Sequence, residues 1–123
     1  HLRDLDYQAV EYASDLSSGA GMAAMQNLLK DNPPDAVFAV SDTLAAGALR
    51  AIQQAGLRVP EDIAVVGFDG TELADMISLT TIEQPSRDIG RKAVDLLLNK
   101  IDNPAAPTER VMMDWRFISR AST

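Results

Sequence analysis

The chain has 123 residues, 11 basic and 18 acidic side chains, a net charge of −7 and no cysteine. That length suits one domain able to bury its own core, and without cysteine there is neither a disulfide framework nor a thiolate metal site, so a reducing compartment, the cytoplasm, is expected. An acidic surface repels phosphate backbones, which argues against direct DNA contact by these residues. Residues 1 to 15 carry Arg3, Asp4, Asp6 and Glu11 where a signal peptide would be apolar, and no run is long enough to span a membrane.

Apolar strands and amphipathic helices alternate at short spacing, the pattern of parallel βαβ units. Residues 7–13, YQAVEYA, read as a weak first strand. A helix follows, capped by Ser17 or Ser18, with Met22, Met25, Leu28 and Leu29 at helical spacing and Asn32-Pro33-Pro34 as its end. AVFAV, residues 36–40, is a short apolar run suited to a strand covered on both faces. The next helix starts at Ser41 or Asp42, buries Ala45, Ala48, Leu49 and Ile52, and stops at Gly56. After a turn at Pro60-Glu61-Asp62, residues 63–68 form a second buried strand, and LTTIE, 79–83, a third. A helix over 86–101 opens with Pro85 and Ser86 and carries Ile89, Ala93, Leu96, Leu97 and Ile101 on one face. One or two strands close the chain within ERVMMDWRFIS.

Two strands end in polar residues, Ser41-Asp42 after the first and Asp69 after the second. In an open parallel sheet, ligands bind outside the carboxyl ends of the strands, where strand order reverses. A carboxylate offers only acceptors, so it suits a partner rich in donors, such as sugar hydroxyls or purine N–H groups. Asp42 also fits the role of helix cap, and Asp69 that of turn former; spacing leaves both alternatives open. Catalysis finds little support. The single histidine is His1, at a terminus, and the acids do not gather at metal-ligand spacing. Gly19-Ala20-Gly21 resembles an anion-binding helix start, but it lacks the full dinucleotide fingerprint, and easing a tight helix start explains it better. Met22, Met25, Met112 and Met113 read as core filling and Trp115 as a packing residue.

The stretch PPDAVFAVSDTLAAGALRAIQQAGLRVPEDIAVVGFDG, with LTTIEQP, IGRKAVDLLL and the ending ISRAST, resembles the effector-binding core of LacI/GalR-type bacterial transcriptional regulators. The resemblance runs from about Asp15 to Thr123 and implies an α/β fold: a parallel-sheet, Rossmann-like lobe of a truncated periplasmic-binding-protein-like (type I) fold. Residues 1–78 would be the C-terminal lobe. Residues 79–108 would be a crossover strand and helix given to the N-terminal lobe, and 109–123 the returning strands. Such a chain would lack the helix-turn-helix domain and reach operator DNA only through it. A periplasmic sugar-binding protein of the same fold is the alternative.

By position, the resemblance makes Asp69 the acid that binds effector hydroxyls or base nitrogens and Gln84 a polar crossover residue near the ligand. Ser41 stands where many members have asparagine in an Asn-Asp pair with Asp42, and Leu16 where many have a stacking aromatic. Ser78 replaces a common proline. The expected partners are a small-molecule effector, sugar or nucleobase-like, and a second copy, with Leu44, Arg50, Leu73, Met76 and Ile77 at the dimer surface. No enzyme activity, cofactor, metal or membrane is implied.

Overall fold

Residues 10–30 and 32–123 are described by the computed structural model. His1 and residues 7–9 of the expected first strand lie outside them, and residues 10–13 form no strand. The chain then alternates without interruption: α1 (Ser18–Leu28), β1 (Ala36–Phe38), α2 (Asp42–Gln54), β2 (Ala64–Asp69), α3 (Glu72–Met76), β3 (Thr80–Glu83), α4 (Ser86–Asp102) and β4 (Arg116–Ile118). The strands form one sheet in the order β1-β2-β3-β4. β1, β2 and β3 run parallel, with Val37 opposite Val65 and Phe68 opposite Ile82, while β4 pairs antiparallel to β3. The strand order does not reverse anywhere in this sheet, so the expected switch point is absent among the described residues.

Local chemistry accounts for α2 almost completely. Ser41 Oγ accepts from Leu44 N at 3.2 Å, which makes Ser41, and not Asp42, the N-cap of the two candidates. At the other end Leu57 N donates to Ile52 O and Gly56 N to Gln53 O, with Gly56 at φ 77°. This paired closure is the Schellman arrangement, which needs a residue in the left-handed region after the last turn. Between the ends, Ala45, Ala48, Ala51 and Ile52 are buried and join Met25, Ile63, Val65, Ala74 and Leu79 in the core.

Helix α1 lies against α2 because two glycines let the backbones meet. A Cβ on Gly21 would overlap Leu44 backbone atoms, and one on Gly47 would overlap the carbonyl of Ser18 and the amide of Met22. The Gly19-Ala20-Gly21 run thus serves helix packing, and the amide of Ala20 is satisfied by Ser17 Oγ at 3.1 Å.

The sheet is covered unevenly. Phe38 is 56% exposed and Val40 62%, so the 36–40 run is a three-residue edge strand and not one covered on both faces. α4 carries the expected apolar side but buries none of its residues. Only one strand forms near the C-terminus; residues 109–115 are irregular, Met112 is exposed, and Trp115 keeps 62% of its surface. Core filling by Met112 and packing by Trp115 are therefore corrected, while Met25 is fully buried as expected.

The ending RAST fastens the starts of β2 and β3. Ser122 Oγ donates to Val65 O at 2.6 Å and accepts from Thr80 N at 2.8 Å, and Val65 N donates to Ser122 O. Arg120 Nη1 donates to Leu79 O at 2.7 Å, and its Nη2 pairs with Asp75 at 3.3 Å. Thr80, fully buried, is thereby supplied with partners that strand pairing alone would not give it, while the equally buried Thr81 Oγ1 donates to Asp42 Oδ1 instead.

Candidate functional site

Asp69 is the last residue of β2, and Gln84 directly follows β3. Parallel pairing sets Asp69 opposite Glu83, so the two polar side chains meet at the carboxyl edge of the sheet. Gln84 Nε2 donates to Asp69 Oδ1 at 3.1 Å, and Gln84 N to Asp69 O at 3.4 Å. Among the described residues the other carboxylate oxygen of Asp69 and the amide oxygen of Gln84 take no hydrogen bond. The pair therefore presents two half-buried acceptors toward solvent, which is the complement of a ligand bearing several donors.

Asp69 holds this position in a costly backbone conformation. Its φ is 114°, and Gly70 follows at φ 72°. Side chains other than glycine seldom adopt such angles, at a cost of about 1–3 kcal/mol, and they persist where surrounding structure imposes them. Gly70 is required for a second reason: a Cβ there would come within 2.6 Å of Glu83 Cα. Glu83 itself pairs with Arg116 on β4.

Beside Gln84 lies a small concavity of about 220 Å³ lined by Phe68, Ile82, Gln84, Pro85, Ile89, Met113 and Trp115. Phe68 meets Phe38 edge to face, ring centres 6.3 Å apart. The sequence pattern had not joined these apolar side chains to Gln84, because strand residues of alternating direction and a distant loop are brought together only by the fold.

The remaining expected ligand contacts fall elsewhere. Ser41 is buried, its oxygen committed to the cap of α2. Asp42 is fully buried: Oδ2 accepts from Thr71 N at 2.7 Å and Thr71 Oγ1 at 2.9 Å, and Oδ1 from Thr81 Oγ1 at 2.5 Å. With no exposed surface, Asp42 cannot touch a ligand in this structure, which corrects that expectation. Leu16 is 67% exposed and does not line the concavity beside Gln84. Among the described residues no group of three or more acids or histidines could hold a metal.

On the opposite side of α2, Ala46, Leu49, Arg50, Gln53, Leu57, Val59 and Ile77 line a shallow groove of about 500 Å³. Arg50 and Ile77, both expected at a dimer surface, are brought together here. Met76 is 77% exposed and Leu73 half-buried, but Leu44 is only 7% exposed, on the α1 side of α2. A buried Leu44 cannot belong to an outer surface, so it leaves the expected set.

A mostly parallel sheet with helices packed on it and polar groups at its carboxyl edge fits a periplasmic binding protein-like domain, and the chain belongs to that family, matching its pattern over residues 2–123. More narrowly, it is homologous to LacI-family repressors, as the resemblance implied. It is 48% identical over 105 residues to the ribose operon repressor of Haemophilus influenzae, covering 83% of this chain and 32% of that protein. The solved transcriptional regulator CelR–cellobiose complex superposes with a TM-score of 0.90 at 35% identity, covering 99% of this chain and 38% of that one. The lac repressor dimer bound to operator and the anti-inducer ONPF superposes at 0.79 with 36% identity, covering 89% and 39% respectively. The chain thus spans about a third of the length of the curated relative named here. The names of these relatives denote transcriptional regulators, not enzymes.

Proposed function

We propose that this chain supplies one wall of an effector cleft and a dimer surface to a cytoplasmic bacterial transcriptional repressor, and performs no catalysis. In this reading residues 1–78 belong to the C-terminal lobe, 79–108 to the crossover strand and helix, and 109–123 to the return, while operator DNA is reached through a separate DNA-binding domain. The effector is a small molecule with several hydroxyl or N–H donors, a sugar or a nucleobase-like compound. The observation that carries the reading is the Asp69–Gln84 pair, with one carboxylate oxygen held and the other left to accept. The chain's relatives include a ribose operon repressor and a regulator solved with cellobiose, which favours a sugar.

Calorimetric titration of the whole regulator with D-ribose and a panel of sugars and nucleosides tests this. Asp69→Ala removes a charged acceptor, and a charge-assisted hydrogen bond contributes about 1.5–3 kcal/mol, so affinity should fall roughly tenfold to a hundredfold with folding retained. Unchanged affinity would remove Asp69 from the site. The dimer surface is assigned to the groove around Arg50 and Ile77, with Met76 exposed and Leu73 half-buried nearby in sequence. Symmetric dimers are the commonest soluble oligomers, and the homologous lac repressor was solved as a dimer. Arg50→Glu should lower the sedimenting mass toward that of a monomer; a mass that stays dimeric would place the interface elsewhere.

A further inference from the structure

The geometry points to Asp42 as a positioning residue that fixes Asp69 for the effector without touching it, an inference that rests on the reading of Asp69 given above. Three donors converge on this one buried carboxylate, and they come from two different places. Thr71 N and Thr71 Oγ1 lie two residues beyond Asp69, while Thr81 Oγ1 comes from the middle of β3. Asp42 therefore ties the first turn of α2 both to the loop that carries the ligand acid and to the neighbouring strand.

The loop needs such a tie. Between Asp69 and Thr71 the backbone passes through two successive positive φ angles, 114° and 72°. Strained conformations of this kind relax unless something outside the loop holds their ends. The upstream end is held by β2 pairing with β3. The downstream end is Thr71, whose side chain makes no cap bond to α3 and whose amide and hydroxyl both point to Asp42 instead. Without Asp42, the Thr71 amide and hydroxyl lose their acceptor, Thr71 is left with only its carbonyl bonded to Ala74 N and Asp75 N, and the loosened turn lets the Asp69 side chain swing away from Gln84.

Gly67 is the sequence trace of this arrangement. A Cβ at Gly67 would stand 2.5 Å from Asp42 Oδ1, so the strand leaves out a side chain where the carboxylate passes. A glycine inside a buried strand is otherwise unfavourable, and close approach of another group is a known reason for one.

The reporter is the side-chain amide of Gln84, whose hydrogen bond to Asp69 should give it a signal shifted from that of a free amide in a nitrogen–proton correlation spectrum of the full chain. Asp42→Ala should move that signal to the position of a free amide. Asp42→Asn should restore it, since the amide oxygen can face Thr71 while the Thr81 hydroxyl turns to accept from the amide nitrogen. Thr81→Val, which breaks the strand branch of the same tie, should leave it in place even if stability drops. Should Asp42→Ala fail to fold, Thr71→Val replaces it and should weaken the signal where Thr81→Val does not. In the whole regulator, the Kd for D-ribose should rise about tenfold in Asp42→Ala and stay within about threefold in Asp42→Asn and Thr81→Val. Equal effects of the loop-branch and strand-branch variants on the Gln84 signal, or none from either, would overturn the positioning role. If instead Asp69→Ala leaves ribose binding intact, the effector-site reading of Asp69 fails; if the unaltered regulator binds no ribose, the Kd comparison is made with the sugar or nucleoside that the titration panel identifies, and in both cases the Gln84 signal still judges the tie.

Discussion

Replacing Ser122 by alanine removes one oxygen and should cost more than most larger substitutions in this chain. Its hydroxyl stands where strand pairing has not yet begun: the first β2–β3 partners are Val66 and Thr80, so Val65 O and Thr80 N would otherwise lack a bridge. Thr80 is fully buried and Ser122 is 4% exposed, so water cannot take over either bond. Leaving a buried N–H unsatisfied costs about 1–3 kcal/mol, and the lost bond to Val65 adds about 0.5–1.5, giving an expected loss of about 1.5–4.5 kcal/mol. That is a large fraction of the roughly 5–15 kcal/mol by which domains are stable. Urea unfolding followed by far-ultraviolet circular dichroism measures it, with the midpoint lowered and the slope unchanged if only native-state stability is affected. Exposed Ser119→Ala is the control and should shift stability by less than about 0.5 kcal/mol. A loss of that small size for Ser122→Ala would refute the bridging role.

Ser78 stands at φ 52° and its amide donates to Asp75 O at 3.1 Å. Proline has neither that φ nor an N–H, so Ser78→Pro should destabilise by about 3 kcal/mol or more, whereas Ser78→Gly should be neutral or gain up to about 1 kcal/mol, both read by thermal unfolding. Gly47→Ala drives a methyl into the backbone of α1 and should lower stability by about 1–3 kcal/mol or more, again read in urea, with near-native stability counting against the close helix contact. The hydrogen bond from the Arg58 side chain, followed by that from its backbone amide, holds Asp62 below the usual aspartate range. A depressed folded value means that this pair's contribution is present above the ordinary aspartate pKa and is lost as pH falls through the lower, folded one. Carbon-detected titration of the Asp62 carboxyl should show that low midpoint, and Arg58→Ala should raise it.

Signals confined to one element were legible in the sequence. Helix α2 announced its start at Ser41-Asp42, its buried side through Ala45, Ala48 and Ile52, and its end at Gly56, because capping and periodicity act over a few residues. The acid at the end of β2 was legible for the same reason, and the family resemblance added Gln84 as a polar crossover residue near the ligand, while the hydrogen bond between the two emerged only from the fold. What stayed hidden depended on which elements meet. An apolar run such as AVFAV looks alike at an edge and in a covered strand, so its exposure could not be read. Ser41 and Asp42 are both good caps, and only the arrival of Thr71 and Thr81 decides which one turns inward. Gly67 was the available clue, since a glycine in a buried strand marks close approach, though not by what. Leu44 was misplaced because Gly21 and Gly47 bring α1 onto that side of α2, a fact no single helix pattern contains.

The reciprocal glycine contact between α1 and α2 also bears on how this sequence can drift. Each glycine is fitted to backbone atoms of the opposite helix, which every amino acid possesses, so no change of side chain on the other helix can make room for a methyl at either position. Ordinary core positions can exchange volume with their neighbours over successive substitutions. These two cannot, and in a library selected for full stability Gly21 and Gly47 should be among the least altered positions while the side chains around them turn over.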